Sequence, residues 1–268
     1  MVKKAIIAGG GELPRIIVDS LKEQNIPYYI IAIKGEYNLS FPEPDSIIDI
    51  GLVKSILEIF EKESIKEVIL AGSIKRPAFS SLKIDSEGLK LIAQITKNTI
   101  LGDNKLLSTI VKFIENKGYR VIGADEIVAK ILTDQGILGE IFPSNEDKED
   151  IELGKKVAQA IGQMDIGQGV IIENGLVLGI EAIEGTDELI KRCALLKRES
   201  FKKGILVKMK KPNQEQKADL PTIGVTTVRN IAQAGFKGIA IEAGNSFILN
   251  KEEVLKEANN KGIFVVGI

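Results

Sequence analysis

Along the first half of the chain, short apolar runs alternate with stretches in which apolar residues recur every three or four positions. Runs rich in β-branched residues stand at 3–8 (KKAIIA), 28–33 (YYIIAI), 67–73 (EVILAGS) and 119–124 (YRVIGA), and helical spacing covers 14–24, 53–63, 86–98 and 103–117 between them. Alternation of this kind predicts a parallel sheet, because parallel neighbours need a long crossover and a helix supplies it. FPEPD at 41–45 reads as a loop. The acidic stretch SNEDKEDIE at 144–152 marks a change, with Ser144 a candidate cap for a helix at 147–162. In QGVIIENGLVLGIEAIE, Asn174-Gly175 sits between two β-rich runs, the pattern of a hairpin. Further strands are expected at 203–209, 238–243 and 263–267, and helices at 187–198, 222–234 and 251–261. The fold class is therefore α/β in two domains, a parallel-sheet domain at 1–135 and a mixed-sheet α/β domain at 144–268, with the break between about 132 and 145.

Composition narrows what such a protein does. With 268 residues, 44% of them hydrophobic, either one large or two ordinary domains can bury a core. A formal net charge of −1 and 5% aromatics disfavour a nucleic-acid partner, which needs a basic surface and stacking platforms. The single cysteine, Cys193, excludes an internal disulfide and fits a reducing compartment. Its neighbourhood, LIKRCALLKR, has helical spacing, so a packed thiol is expected rather than a nucleophile. No apolar run approaches the roughly 18 residues of a membrane span and no signal-peptide core opens the chain, so a cytoplasmic protein is expected, at most peripheral to a membrane. Histidine is absent, which removes serine and cysteine triads that use imidazole, and every zinc site that contains it. Chemistry must come from carboxylates, lysines, hydroxyls, backbone dipoles or a hard metal held by oxygen.

The first candidate is GGGELP at 9–14, after the run Ala5 to Ala8. It departs from the dinucleotide fingerprint G-x-G-x-x-G at the last position, which is Pro14. Proline suits the first turn of a helix, so two readings stand: a loop that offers amides and a helix end to an anion, or a tight strand-to-helix turn. The densest stretch is KMKKPNQEQKADLPTIGVTTV at 208–228. Either Asp219 lies beside an anionic substrate held by Lys208, Lys210, Lys211 and the helix end near Thr222, or Asp219 caps that helix in a solvated loop. In EAIEGTDE at 181–188, Glu181 and Glu184 face a cleft while Gly185 and Thr186 donate, or Thr186 is a helix cap. IAIEAGNS at 239–246 puts Glu242 at a strand end. LGDNKLL at 101–107 offers Asp103 as metal ligand or cap.

At these residues the chain resembles the LpxI family, the UDP-2,3-diacylglucosamine pyrophosphatases of lipid A synthesis. The likeness rests on IAGGGELP, LAGSIKRP at 70–77, GDNKLL at 102–107, DIGQGVIIENGLVLGIEAIEGTD at 165–187, LVKMKKPNQ followed by DLPTIG, and GIAIEAG at 238–244. It implies a Rossmann-like N-terminal domain and a distinct C-terminal catalytic domain. It also implies hydrolysis of UDP-2,3-diacylglucosamine at the α-phosphorus to UMP and 2,3-diacylglucosamine 1-phosphate (lipid X), dependence on Mg2+ or Mn2+, and a homodimer. Asp219 matches the key acid of the family and would serve as catalytic residue and metal ligand, with Glu181, Glu242 and, less directly, Glu184 as further oxygen donors. Substrate contacts are expected on Gly10, Gly11, Leu13, Gly72, Ser73, Lys75, Gln168, Glu184, Gly185, Thr186, Lys208 and Thr222. The chain departs from the family where P-x-Q-D-x-R is usual, reading Pro212-Asn213-Gln214-Glu215-Gln216-Lys217, and has Asn104 and Asn250 at positions often acidic. Nine lysines and arginines against three acids in 187–211 suit either an anionic headgroup surface at the cytoplasmic face of the inner membrane or a solvated helix face. Rival functions are an NAD-dependent nucleotide-sugar oxidoreductase and a non-catalytic nucleotide- or lipid-binding protein.

Overall fold

A computed structural model describes residues 2–38, 42–75, 82–97, 103–196, 203–212 and 214–268. Arg76, Pro77, Gly102, Asn213 and the basic residues between 197 and 202 lie outside them. The chain divides into one compact unit made of Met1–Lys130 with Glu215–Asp219, and a second made of Ile131–Gln214 with Leu220–Ile268.

In the first unit the elements run β1 (Lys4–Ala8), α1 (Leu13–Glu23), β2 (Tyr28–Ile33), β3 (Ser46–Ile48), α2 (Val53–Lys62), β4 (Glu67–Ala71), α3 (Ser86–Lys97), α4 (Asp103–Asn116) and β5 (Arg120–Ile122). The strands form a parallel sheet in the order β3-β2-β1-β4-β5. Ala5, Ile31, Phe60, Val68 and Val121 are buried in its core, which explains why these strands read as continuous apolar runs rather than alternating ones. The order reverses direction between β1 and β4, so the loops that leave these two strands flank the switch point where ligand crevices form in such sheets.

The second unit holds β6 (Gly136–Ile137), α5 (Asn145–Gln163), β7 (Gly169–Glu173), β8 (Leu176–Ile180), α6 (Thr186–Ala194), β9 (Ile205–Lys208), β10 (Thr222–Ile223), α7 (Val225–Gln233), β11 (Gly238–Ile241), β12 (Phe247–Ile248), α8 (Lys251–Lys261) and β13 (Phe264–Gly267). Its main sheet is mixed, ordered β6-β13-β11-β9-β7-β8, with β6 and β7 antiparallel to their neighbours. Strand alternation sorts the side chains. Val170, Ile172, Ile205 and Val207 pack against Ile151 and Ala158 of α5, while Ile171, Leu206 and Ile239 pack on the other face against α6, α7 and α8. Ser144 caps α5, its Oγ accepting from the Asp147 amide at 3.2 Å. Asn174 and Gly175 take φ of 51° and 73°, the left-handed pair that a two-residue hairpin needs.

The short strands β3, β6, β10 and β12 were not expected, and one expected helix starts later. The helix expected from residue 222 begins at Val225, because Thr222 and Ile223 pair with Phe247 and Ile248 as a short parallel ladder. Gly224 is its N-cap, so Asp219 does not cap it and Thr222 is not at its end.

Candidate active site

In the first unit, the loops after β1 and β4 are joined at the switch point. Gly10 donates its amide to the Ser73 carbonyl oxygen at 2.8 Å and accepts from the Ser73 amide at 3.0 Å, while the Gly9 amide donates to Ala71 O at 2.8 Å. The approach is close enough that a side chain on Gly9 would strike Ser73 O and one on Gly72, at φ 87°, would strike Gly10 O. Gly72 also faces Pro14, whose Cγ would stand 3.1 Å from an added Cβ. Proline therefore fills the ground that the third glycine of a dinucleotide fingerprint keeps open. Two of the three glycine amides are spent on this joint. What remains for an anion is Gly11, at φ 81° with nothing within 4 Å of an added Cβ, and the first turn of α1, which no side chain caps. Leu13 opens that helix and is partly buried, whereas Ser73 and Lys75 are exposed.

Asp219 belongs to this first unit with Glu215–Ala218, although the chain on either side of that segment belongs to the second. The Glu215 amide donates to Asn104 Oδ1 at 2.7 Å, Lys217 Nζ pairs with Glu115 Oε1 at 2.6 Å, and Ala218 packs against the core. The Asp219 amide closes a turn onto Glu215 O at 3.0 Å. Asn104, Lys217 and Ala218 thus hold the segment. Asp103 starts α4, and its side chain is outside the described atoms.

The second unit gathers Gln168, Glu181, Thr186, Lys208 and Thr222 where β8 and β9 end and β7 begins. Thr186 donates to Glu181 Oε1 at 2.6 Å, Lys208 Nζ donates to Thr186 Oγ1 at 2.9 Å and to Thr222 O at 3.2 Å, and the Gln168 amide donates to Glu181 Oε2 at 3.3 Å. Lys208 and Glu181 are buried, at 4% and 6% exposure. Thr186 is the first residue of α6 rather than its cap, which is Gly185 at φ 79°. Gln214 extends the group, its Nε2 donating to Gln168 Oε1 at 3.1 Å; the sequence contains no spacing that announces this pair.

Two other acids turn elsewhere. Glu184 accepts from Arg192 at 2.8 Å and from the Ala182 amide at 3.1 Å. Partial burial pushes its carboxyl up, but hydrogen bonds from Arg192 and from the backbone, together with the Arg192 charge, outweigh that and hold it below the usual value. Glu242, after β11, accepts from the Lys210 amide at 2.7 Å and Asn245 Nδ2 at 3.0 Å. Among the described residues no three acidic or sulfur side chains gather closely enough to hold a metal ion. Asp219 lies in one unit, Glu181 and Glu242 in the other.

The first unit ends its central strands β1 and β4 in glycine-bearing loops, and the second ends β9 and β11 in loops that carry Lys210, Lys211 and Glu242, which defines a two-unit α/β protein. Residues 3–131 match the LpxI N-terminal domain and residues 134–266 the LpxI C-terminal domain. The UDP-2,3-diacylglucosamine pyrophosphatase LpxI of Caulobacter vibrioides is 35% identical over 274 residues, covering 100% of this chain and 98% of that protein. The chain belongs to the LpxI family. Among solved structures, N5-carboxyaminoimidazole synthase from Aspergillus clavatus, in complex with ADP and 5-aminoimidazole ribonucleotide, overlaps 74% of this chain and 44% of its own at 12% identity and a TM-score of 0.24, too loose a match to carry a conclusion.

Proposed function

We propose that this chain hydrolyses UDP-2,3-diacylglucosamine. Water attacks the α-phosphorus, the bond from that phosphorus to the bridging oxygen breaks, and UMP and 2,3-diacylglucosamine 1-phosphate leave. The observation that carries the reading is the end-to-end match, at 35% identity, to a relative named for this substrate. The chemistry of the residues is consistent with it. A phosphoanhydride has a good leaving group, so positioning and charge neutralisation suffice and no covalent nucleophile is needed. That suits a chain without histidine.

In this reading Asp219 takes the proton from the attacking water or presents its oxygens to a divalent ion, and Lys208 meets phosphate charge. Magnesium or manganese, when bound, would offset the negative charge that develops on the phosphate oxygens. A small hard ion is commonly held by one or two carboxylates with phosphate oxygens and water. Among the described residues no three acids gather into a full protein cage, and Asp219 as the single carboxylate fits that mode. The loop at Gly10, Gly11 and Leu13, with Gly72, Ser73 and Lys75, would receive the uridine-diphosphate end. We further propose a homodimer that meets its lipid at the cytoplasmic face of the inner membrane; no described helix is long and apolar enough to cross one.

The test is release of UMP from UDP-2,3-diacylglucosamine with magnesium and with chelator. Expected are turnover in magnesium, its loss with chelator, and an Asp219→Ala variant that binds substrate but does not turn it over. An Asp219→Ala enzyme with normal turnover removes that residue's role, and a wild-type chain that releases no UMP overturns the reading.

A further inference from the structure

The sequence of donors around Lys208 has a fixed direction. A buried ammonium is retained where acceptors replace its water shell. Lys208 Nζ has two, Thr186 Oγ1 and Thr222 O, so one of its three N–H groups is without an acceptor among the described residues. The Thr186 hydroxyl has a single hydrogen, which goes to Glu181 Oε1 at 2.6 Å, leaving its lone pairs for the ammonium. Ammonium, hydroxyl and carboxylate thus stand in line. Glu181 is itself fixed. Its Oε2 accepts the Gln168 amide, and the glycines on either side of Gln168 let it in: an added Cβ on Gly169 would stand 2.9 Å from Oε2, and one on Gly167 would strike the Glu181 carbonyl oxygen.

A carboxylate one hydroxyl away offsets the burial of the ammonium without pairing with it directly, and a direct pair would consume the donors that a ligand needs. We propose that Glu181 is a positioning residue. Acting through Thr186 Oγ1, it holds Lys208 with one N–H left for a phosphate oxygen of a nucleoside-diphosphate substrate. The identity of that ligand rests on the pyrophosphatase reading above. Glu181 is thereby assigned to the lysine and not to a metal.

The test is a double-mutant cycle read on binding and on turnover, with UMP and inorganic pyrophosphate as probes in calorimetric titrations of the full chain. Thr186→Val, which keeps the shape and removes the hydroxyl, is expected to weaken both probes by about tenfold or more, and to raise KM while kcat holds. Thr186→Ser recovers most of what Thr186→Val loses. Glu181→Gln weakens binding in the same sense. In a Lys208→Met background neither change costs anything further, because both act through the lysine. Costs that add in that background overturn the proposal, as does unchanged affinity and KM in Thr186→Val. Thermal unfolding is followed for each variant; if Glu181→Gln fails to fold, the Thr186 pair and its cycle decide alone. A wild-type chain that binds the probes but does not hydrolyse UDP-2,3-diacylglucosamine sinks the functional reading and leaves the positioning role to the cycle. One that binds neither probe sinks the positioning role as well.

Discussion

At the residue scale, burial decides which reactive groups are available. Cys193 is fully buried on α6, and desolvation pushes its thiol above the ordinary value, with Arg192 only partly opposing. The thiolate is the reactive form, so a disulfide reagent such as Ellman's is expected to leave the native chain unlabelled and to label it fully in denaturant; fast native labelling would contradict the packing. The helical spacing of LIKRCALLKR already pointed to a packed thiol. The same spacing argument was silent about Thr186. In sequence it looks like any residue at a helix start, and only the fold shows its hydroxyl between Glu181 and Lys208, 5 and 22 positions away.

At the scale of elements, the long runs were legible and the short ladders were not. Helix α5 and the turn at Asn174-Gly175 declare themselves by a serine cap with an acidic first turn and by a left-handed pair. Strands β10 and β12 have two residues each and exist only because they pair with one another, a contact between positions about 25 apart. Close approach of elements is likewise invisible in one dimension. Gly154, inside α5, lies against β9, and an added Cβ would stand 2.9 Å from Val207 Cβ with Cγ2 nearer still. Alanine there would gain about 1 kcal/mol of helix propensity but force an overpacked contact that typically costs about 1–3 kcal/mol. Gly154→Ala is therefore expected to lower the urea midpoint, whereas a rise would show that α5 can withdraw from the sheet.

For the whole molecule, charge is distributed unequally in its consequences. In the first unit Glu67 is held below its ordinary value of 4.5 by hydrogen bonding to Lys4, Glu63 by Lys3 and Glu87 by Lys117 and Lys90, against one carboxyl so lowered, Glu184 beside Arg192, among the described residues of the second. A carboxylate lowered in the folded state stabilises above its unfolded value, and that contribution disappears as pH falls through the folded one. All four tyrosines, at 28, 29, 37 and 119, lie in the same unit, and there is no tryptophan. Acidification below about 4.5 is thus expected to change the tyrosine signal at a higher pH than the far-ultraviolet circular dichroism of the whole chain. Coincident transitions would show that the units unfold together.

Apolar periodicity and glycine-bearing turns, both local properties, were enough to set the fold class, the hairpin and the long helices from the sequence alone, and the absence of histidine limited the chemistry to oxygen and ammonium groups. Which polar residues act together was decided by the fold, since hydrogen bonds depend on distances of about 3 Å that no spacing along a chain fixes. The joining of Gly10 to Ser73, the Lys208–Thr186–Glu181 line, and the return of Glu215–Asp219 to a unit the chain had left eighty-five residues earlier are of that kind.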